Sequence, residues 1–170
     1  MSQALKESIA RQRSTLHNML VDPLQRLADQ LCSLWSDKAA LDRTLLNALP
    51  TIAWAKYLYA LDLDGIQISD TISAEGLLCE DFGRDRSQRP YMQNINDQPL
   101  TLSHSYLSQR INRPSLTALQ KIFSDEDKHI GFLGVDFDLR ELPLTRELYE
   151  ETSEWQQIKG DPAIRSSLFA

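Results

Sequence analysis

The chain has 170 residues, of which 42% are hydrophobic and 25% charged, so it can build one core of ordinary size. Its 24 acidic residues outnumber its 18 lysines and arginines, which argues against nucleic-acid binding, because such surfaces are normally basic. No stretch reaches the roughly 18 to 20 apolar residues of a membrane span, and the charged N-terminal residues lack the apolar centre of a secretory signal, so we expect a soluble, cytoplasmic protein.

Residues 1–50 are predicted to form a helical region that packs on the rest of the chain. Asp22 and Pro23 interrupt the first helix and predict either a kink or two successive helices, because proline lacks the N–H that a helix interior uses. A shorter helix is expected after Asp37, ending before Pro50. An apolar stripe at helical spacing is formed by Leu16, Leu20, Leu24, Leu27, Leu31 and Leu34. This stripe either packs within the domain or also joins two copies as a homodimer.

Residues 51–142 are predicted to form a sheet-rich core, and residues 143–170 a C-terminal helix and tail. β-branched and aromatic residues flank Asp64-Gly65, a pair typical of a tight hairpin turn whose two central residues both have positive φ. These patterns predict about five antiparallel strands. Two of them run from Tyr57 to Leu63 and from Ile66 to Thr71, and three more begin at Leu100, Pro114 and His129.

The segment GRDRSQRPYMQ, from Gly83 to Gln93, places three arginines within six residues of an acidic chain. Its glycine and proline interrupt regular structure, so the charges lie on a shaped loop. Guanidinium groups there can bind an anion, because arginine presents a rigid fork of donors to a carboxylate or a phosphate. Alternatively, the loop arginines form surface ion pairs with neighbouring carboxylates, so that Arg84, Arg86 and Arg89 pair with Asp81 and Asp85.

Three segments in this order resemble the Cache sensor domains of bacterial receptors, the PAS-like group also called PDC: YLYALDLDGIQIS, then GRDRSQRPYMQ, then SYLS followed by IGFLGVDFDL. The loop is the most specific part, since G-R-D-x-S-x-R-P-Y fixes seven positions. The resemblance covers about residues 53–142 and is to the single-Cache type. It implies an α+β fold with an antiparallel sheet, a long N-terminal helix, and a small ligand held between the sheet and the loop.

The resemblance also implies the ligand-binding residues. It places Arg89 and Tyr91 in the pocket, with Tyr106 facing it from the next strand and Asp136 approaching from the strand that carries GVD. A guanidinium and a phenol suit a carboxylate, and alternation along a strand places His104 on the same face as Tyr106. The predicted ligand-binding residues are Arg84, Arg89, Tyr91, His104, Tyr106 and Asp136.

Two departures from the family pattern change what is expected of the ligand and its setting. Amino-acid-binding members carry a tyrosine five residues before the arginine and an aspartate two residues after the later tyrosine, where this chain has Arg84 and Ser108. We therefore expect a simple organic acid and not an unmodified amino acid. Most members lie outside the membrane between two spanning helices, so this chain is either a cytoplasmic sensor or has its signalling half elsewhere.

Catalysis finds little support in the sequence, and we expect no enzyme, no cofactor and no metal site. The chain has six glycines and no nucleophile elbow, phosphate loop or dinucleotide-binding pattern. Cys32 and Cys79 are isolated, and the three histidines form no ligand pattern. The predicted function is a signal-transduction sensor for a small organic acid, a homodimer through its N-terminal helix, which acts on a downstream signalling protein. An interaction scaffold without a ligand is the alternative, and an unrecognised hydrolase is a weaker one.

Overall fold

The computed structural model describes residues 2–108, 110 and 112–142, so the predicted C-terminal helix and tail lie outside the described residues. Helix α1 spans Gln3–Leu31, and the side chain of Ser2 caps it by accepting a hydrogen bond from the Leu5 N–H. The helix continues through Pro23, so two successive helices do not form. Pro23 removes the N–H that would bond to the carbonyl of Met19, and Met19 is exposed, so water can satisfy that carbonyl. Helix α2 spans Lys38–Ala48, with Asp37 as its cap.

In the part of the chain that the structure describes, the sheet has seven strands, two more than the predicted five, and every pairing is antiparallel. The strand order is β3-β2-β1-β7-β6-β4, and β5 also pairs with β6. The α+β architecture with a long N-terminal helix is confirmed. The strands are β1 Ala55–Asp62, β2 Thr71–Ser73, β3 Gly76–Leu78, β4 Leu100–Leu102, β5 Tyr106–Leu107, β6 Pro114–Phe123 and β7 His129–Asp138.

The predicted hairpin forms at Asp64-Gly65, but it differs from the expected turn. Gly65 has a φ of 84°, whereas Asp64 is not among the described residues with positive φ. The carboxylate of Asp62 holds the turn instead, by accepting hydrogen bonds from the N–H groups of Asp64 and Ile66 at 2.9 and 3.0 Å. The strand pattern from Tyr57 to Leu63 includes Asp62 and does not predict this bond.

The second predicted strand begins late, at Thr71, because the arginine-rich loop uses the backbone groups of the preceding residues. The N–H of Gln67 donates to the carbonyl of Arg84, and its carbonyl accepts from the N–H of Gly83. The N–H of Arg86 donates in the same way to the carbonyl of Gly65. The loop is therefore bonded to the hairpin by backbone hydrogen bonds, which fixes where its side chains lie.

The two faces of the sheet have different partners. Helices α1 and α2 pack on one face, where alternate strand residues such as Leu58, Val135 and Leu116 are fully buried. The leucine stripe packs there too, with five of its members buried and Leu34 partly buried, while dimerisation through α1 stays a prediction. The opposite face carries a second cluster below the loop: Tyr59, Leu61, Tyr91, Leu119 and Phe132. No helix within the described residues is long and apolar enough to cross a bilayer.

Candidate functional site

A cavity of about 690 Å³, here called the loop cavity, lies between the arginine-rich loop and the sheet face that the helices leave uncovered. Strands β1, β5 and β7 supply one wall, and the loop supplies the other. Because side chains alternate along a strand, residues on this face stand two apart, as Tyr57 and Tyr59 do. The cavity is lined by Tyr57, Thr71, Arg84, Asp85, Arg86, Gln88, Arg89, Tyr91, Tyr106, Ser108, Arg110 and Asp136.

Arg86 is the structural centre of the loop and is 5% exposed, although the sequence allowed it to face solvent. Its Nε donates to Gln67 Oε1 at 2.6 Å, Nη1 to the Tyr91 hydroxyl at 3.1 Å and Nη2 to Thr71 Oγ1 at 3.3 Å. The guanidinium also lies 4.2 Å from the centre of the Tyr59 ring, a cation–π contact. These contacts attach the loop to β1 and β2.

Arg86 remains charged although it is buried. Burial by itself lowers the pKa of Arg86, but the neighbouring phenols of Tyr59 and Tyr91 and the carboxylate of Asp136 more than compensate, so the pKa is raised. The cavity wall therefore carries a permanent positive charge that the loop cannot release.

Asp136 accepts hydrogen bonds from two hydroxyl groups at the sheet side of the cavity. Tyr59 donates to Oδ1 at 2.7 Å and Thr117 donates to the same oxygen at 2.8 Å. The hydroxyl of Thr117 also lies 2.6 Å from the hydroxyl of Tyr106. Because Thr117 donates its proton to Asp136, Tyr106 is the donor in this second hydrogen bond. Burial raises the pKa of the Asp136 carboxyl, while these two hydrogen bonds and the nearby Arg86 and Arg89 oppose the rise.

Gly134 makes room for the Tyr59 ring. The two residues are paired across β1 and β7, and a Cβ on Gly134 would collide with the ring itself. Burial raises the pKa values of Tyr59, Tyr91 and Tyr106, so all three phenols are neutral at ordinary pH. The Tyr91 and Tyr106 rings lie 5.9 Å apart, which gives the cavity an aromatic wall.

Within the described part of the chain, Arg89 differs from Arg84 and Arg86 in having no acidic partner. Among the described residues, no carboxylate lies within salt-bridge distance of its guanidinium, which lines the cavity. Arg89 lies near enough to oppose the rise in pKa that burial causes at Tyr106 and Asp136. A half-buried guanidinium that lines a cavity and contacts no carboxylate of the described residues is suited to binding an anion.

The other end of the cavity is organised by Asp81, whose carboxylate is completely buried. Arg84 Nη2 lies 2.9 Å from Oδ1, Arg86 Nη2 lies 3.6 Å from Oδ2, and Arg110 is also paired with Oδ2. Arg84 and Arg86 thus pair with Asp81, as the alternative from the sequence expected, but its carboxylate is buried and not on the surface. Among the described residues, Arg89 pairs with neither Asp81 nor Asp85. Asp85 instead accepts a hydrogen bond from the N–H of Ser87.

The structure brings five of the six predicted ligand-binding residues to one cavity: Arg84, Arg89, Tyr91, Tyr106 and Asp136. His104 is exposed and is not among the lining residues. The reason is that the predicted strand is interrupted at residues 103–105, where the Ser103 hydroxyl accepts from the Thr117 N–H, so the alternation from Tyr106 does not continue to His104.

Sequence reasoning missed Arg86 and Arg110 as site residues, and it missed Tyr57. Tyr57 pairs directly with Asp136 across β1 and β7, so a correct strand register would have found it. Arg110 lies between two strands, and nothing in its local sequence indicates that it reaches Asp81. Its contact depends on how the chain returns over the cavity.

No protein-family model matches this chain, and no curated protein matches it. Solved structures do. The extracellular ligand binding receptor from Desulfohalobium retbaense matches 81% of this chain and 25% of its own, with 13% identity and a TM-score of 0.60. The ligand-binding domain of the Campylobacter jejuni chemoreceptor Tlp3, in complex with L-valine, matches 86% of this chain and 59% of its own, with 16% identity and a TM-score of 0.59.

The ligand-binding domain of the Pseudomonas fluorescens chemoreceptor CtaA, in complex with L-alanine, matches 82% of this chain and 57% of its own, with 16% identity and a TM-score of 0.54. At such identities the likeness shows the fold. This chain therefore has the PAS-like fold of chemoreceptor sensor domains, as its resemblance to Cache domains implied. It spans between a quarter and three fifths of the length of these structures.

Proposed function

We propose that this protein is a sensor domain of a signal-transduction system and that it binds a small carboxylate in the loop cavity through Arg89. The observation that carries the proposal is the guanidinium of Arg89, which lines the cavity without a carboxylate partner among the described residues. The carboxylate of a ligand would accept charge-assisted hydrogen bonds from this guanidinium. The fold supports a sensor role, since the similar structures are chemoreceptor ligand-binding domains.

The pairing of the other arginines separates this proposal from a scaffold without a ligand. In a scaffold, every buried or half-buried guanidinium should be paired within the protein, because an unpaired buried charge is destabilising. Arg84, Arg86 and Arg110 satisfy this condition through Asp81. Arg89 does not, so the arrangement favours a domain that is completed by a ligand.

A second candidate ligand is an α-amino acid, and Asp136 favours it. The sequence predicts a simple organic acid, because Ser108 stands where amino-acid-binding relatives have a carboxylate. Asp136, however, supplies a carboxylate to the same cavity, and it accepts hydrogen bonds from Tyr59 and Thr117. A ligand ammonium group would match this charge, and the Tlp3 and CtaA structures were solved with amino acids.

Thermal unfolding tests the carboxylate proposal. A ligand that binds only the folded state at 100 times its dissociation constant stabilises it by about 2.7 kcal/mol, which raises Tm by roughly 5 to 10 °C in a chain of this size. We expect such a rise with at least one small carboxylate. Arg89→Gln should abolish it, whereas Arg43→Gln, an exposed arginine on the other side of the domain, should not.

Pairs of ligands that differ only in the amino group, such as valine and 3-methylbutanoate, distinguish the two candidates. If the amino acid binds, Asp136→Asn should weaken it and leave the deaminated acid unaffected. If no small carboxylate changes Tm, or if Arg89→Gln responds as the unchanged protein does, the proposed function is wrong.

A further inference from the structure

At the Asp81 end of the loop cavity, the guanidinium groups outnumber the carboxylates of the described residues that contact them. One buried carboxylate faces three guanidinium groups, those of Arg84, Arg86 and Arg110. Guanidinium groups held this close repel one another. Asp81 offsets one of the three charges and the nearby Asp136 offsets that of Arg86, while Asp85 lines the cavity but is exposed to solvent, so one positive charge is left in excess. A second anion is therefore electrostatically favoured at this end.

Two of these three arginines are accessible to a ligand. The side chain of Arg86 is 6% exposed, and its three nitrogens are all engaged within the protein. The side chains of Arg84 and Arg110 are 41% and 29% exposed, and both line the cavity. Each pairs with Asp81 through Nη2, and a guanidinium has five N–H donors, so each retains donors for an anion.

Asp81 fixes the positions of these two arginines. Its buried carboxylate pairs with Arg84 from the loop and with Arg110 from the segment between β5 and β6. The Arg110 guanidinium also lies 5.5 Å from the centre of the Tyr57 ring. Two guanidinium groups that share one carboxylate are adjacent and preorganised, which reduces the entropy lost when they bind a ligand.

Arg86 separates this end of the cavity from the end where Arg89 lies. Its Nη2 faces Asp81, whereas its Nη1 donates to Tyr91, and Tyr91 packs against Tyr106 beside Asp136. The volume of about 690 Å³ equals that of roughly 20 waters at about 30 Å³ each, far more than one carboxylate group occupies. The cavity can hold a molecule that reaches both ends.

We propose that Arg84 and Arg110 form a second anion-binding subsite and that the ligand is a small dicarboxylate, with or without an amino group. One carboxylate binds Arg89 and the other binds Arg84 and Arg110. This inference rests on the proposed function, because Arg89 must hold the first carboxylate.

Calorimetric titration with matched ligands tests the second subsite. The pairs are glutarate with pentanoate, succinate with butanoate, and glutamate with glutamine, so that each pair differs by one carboxylate. We expect the dicarboxylate of at least one pair to bind about tenfold or more tightly than its partner, which is about 1.4 kcal/mol. In the Arg84→Gln, Arg110→Gln double variant, this difference should disappear, because the dicarboxylate loses the partners of its second carboxylate.

The single variant Arg110→Gln guards against a folding defect, because Arg84 and Arg86 still face Asp81. It should lose part of the preference for the dicarboxylate and keep a cooperative unfolding transition. Equal affinities within every pair in the unchanged protein would overturn the second subsite and leave the carboxylate sensor intact. If neither member of any pair binds, the proposed function fails as well.

Discussion

Replacement of Arg86 by methionine should destabilise the domain far more than the same replacement at Arg84, two residues earlier. Both arginines pair with Asp81, but Arg86 is 5% exposed and makes three further hydrogen bonds. Methionine preserves much of the length of the side chain and removes the guanidinium. The comparison therefore isolates the effect of burial and hydrogen bonding.

The expected loss follows from the contacts of Arg86. Each of its three hydrogen bonds contributes about 1 to 1.5 kcal/mol, and the cation–π contact with Tyr59 adds about 0.5 to 1 kcal/mol. Gln67 is 1% exposed and would lose the donor to its Oε1. The sum is about 3.5 to 5.5 kcal/mol, similar to other cases in which one partner of a buried charge network is removed.

Arg84→Met should change the free energy of unfolding by less than about 1 kcal/mol, because its side chain is 41% exposed and solvent screens its ion pair. Urea unfolding followed by far-ultraviolet circular dichroism measures both values, and equal slopes show that the unfolded states are comparable. The reasoning is refuted if the two variants differ by less than about 1 kcal/mol.

Two further changes test the sheet side of the cavity. Burial raises the pKa of the Asp136 carboxyl in the folded state, so its ionisation at neutral pH lowers the free energy of unfolding. Below the ordinary pKa of 3.8, the carboxyl is protonated in both the folded and the unfolded state, and this penalty is absent. Asp136→Asn should therefore raise Tm at pH 7, with no difference at pH 3, and a lower Tm at pH 7 would contradict this. Gly134→Ala should force the Tyr59 ring out of place, reducing stability by about 1 to 3 kcal/mol and weakening ligand binding. Gly131→Ala, which would collide with Trp35 and the Leu61 carbonyl, should destabilise the fold but leave binding intact in calorimetry.

The elements that the sequence predicted well are those with a local physical cause. The leucine spacing defines α1, the aspartate before Lys38 caps α2, and the alternating patterns after Pro114 and His129 give two ten-residue strands. Arg89, Tyr91 and Asp136, which the resemblance named, line one cavity, and their role in binding a ligand stays a prediction. The helices and the two long strands could be predicted because the residues that determine them lie within a few positions of each other.

The errors arose where distant backbone groups compete for the same hydrogen bonds. Residues 66–70 carry a strand pattern, but the arginine-rich loop bonds to Gln67 and leaves β2 with three residues. The Ser103 hydroxyl accepts the hydrogen bond of the Thr117 N–H, where a strand partner would offer a backbone carbonyl. This interruption separates β4 from β5, and His104 lies outside the cavity. Neither competition is visible in the local sequence.

Local sequence patterns are enough to establish the α+β class, the helices and the presence of an arginine-rich loop, because periodicity and turn chemistry act over short distances. The burial and the partners of each arginine depend on how the chain folds. Arg86 is buried because Gln67, Thr71 and Tyr91 meet around it, and Arg110 reaches Asp81 from 29 residues away in the chain. Arg89 is left without a carboxylate among the described residues, because Asp81 lies at the other end of the cavity. The charge of a side chain is encoded in its residue type, but its burial and its partner depend on chain segments that are brought together by folding.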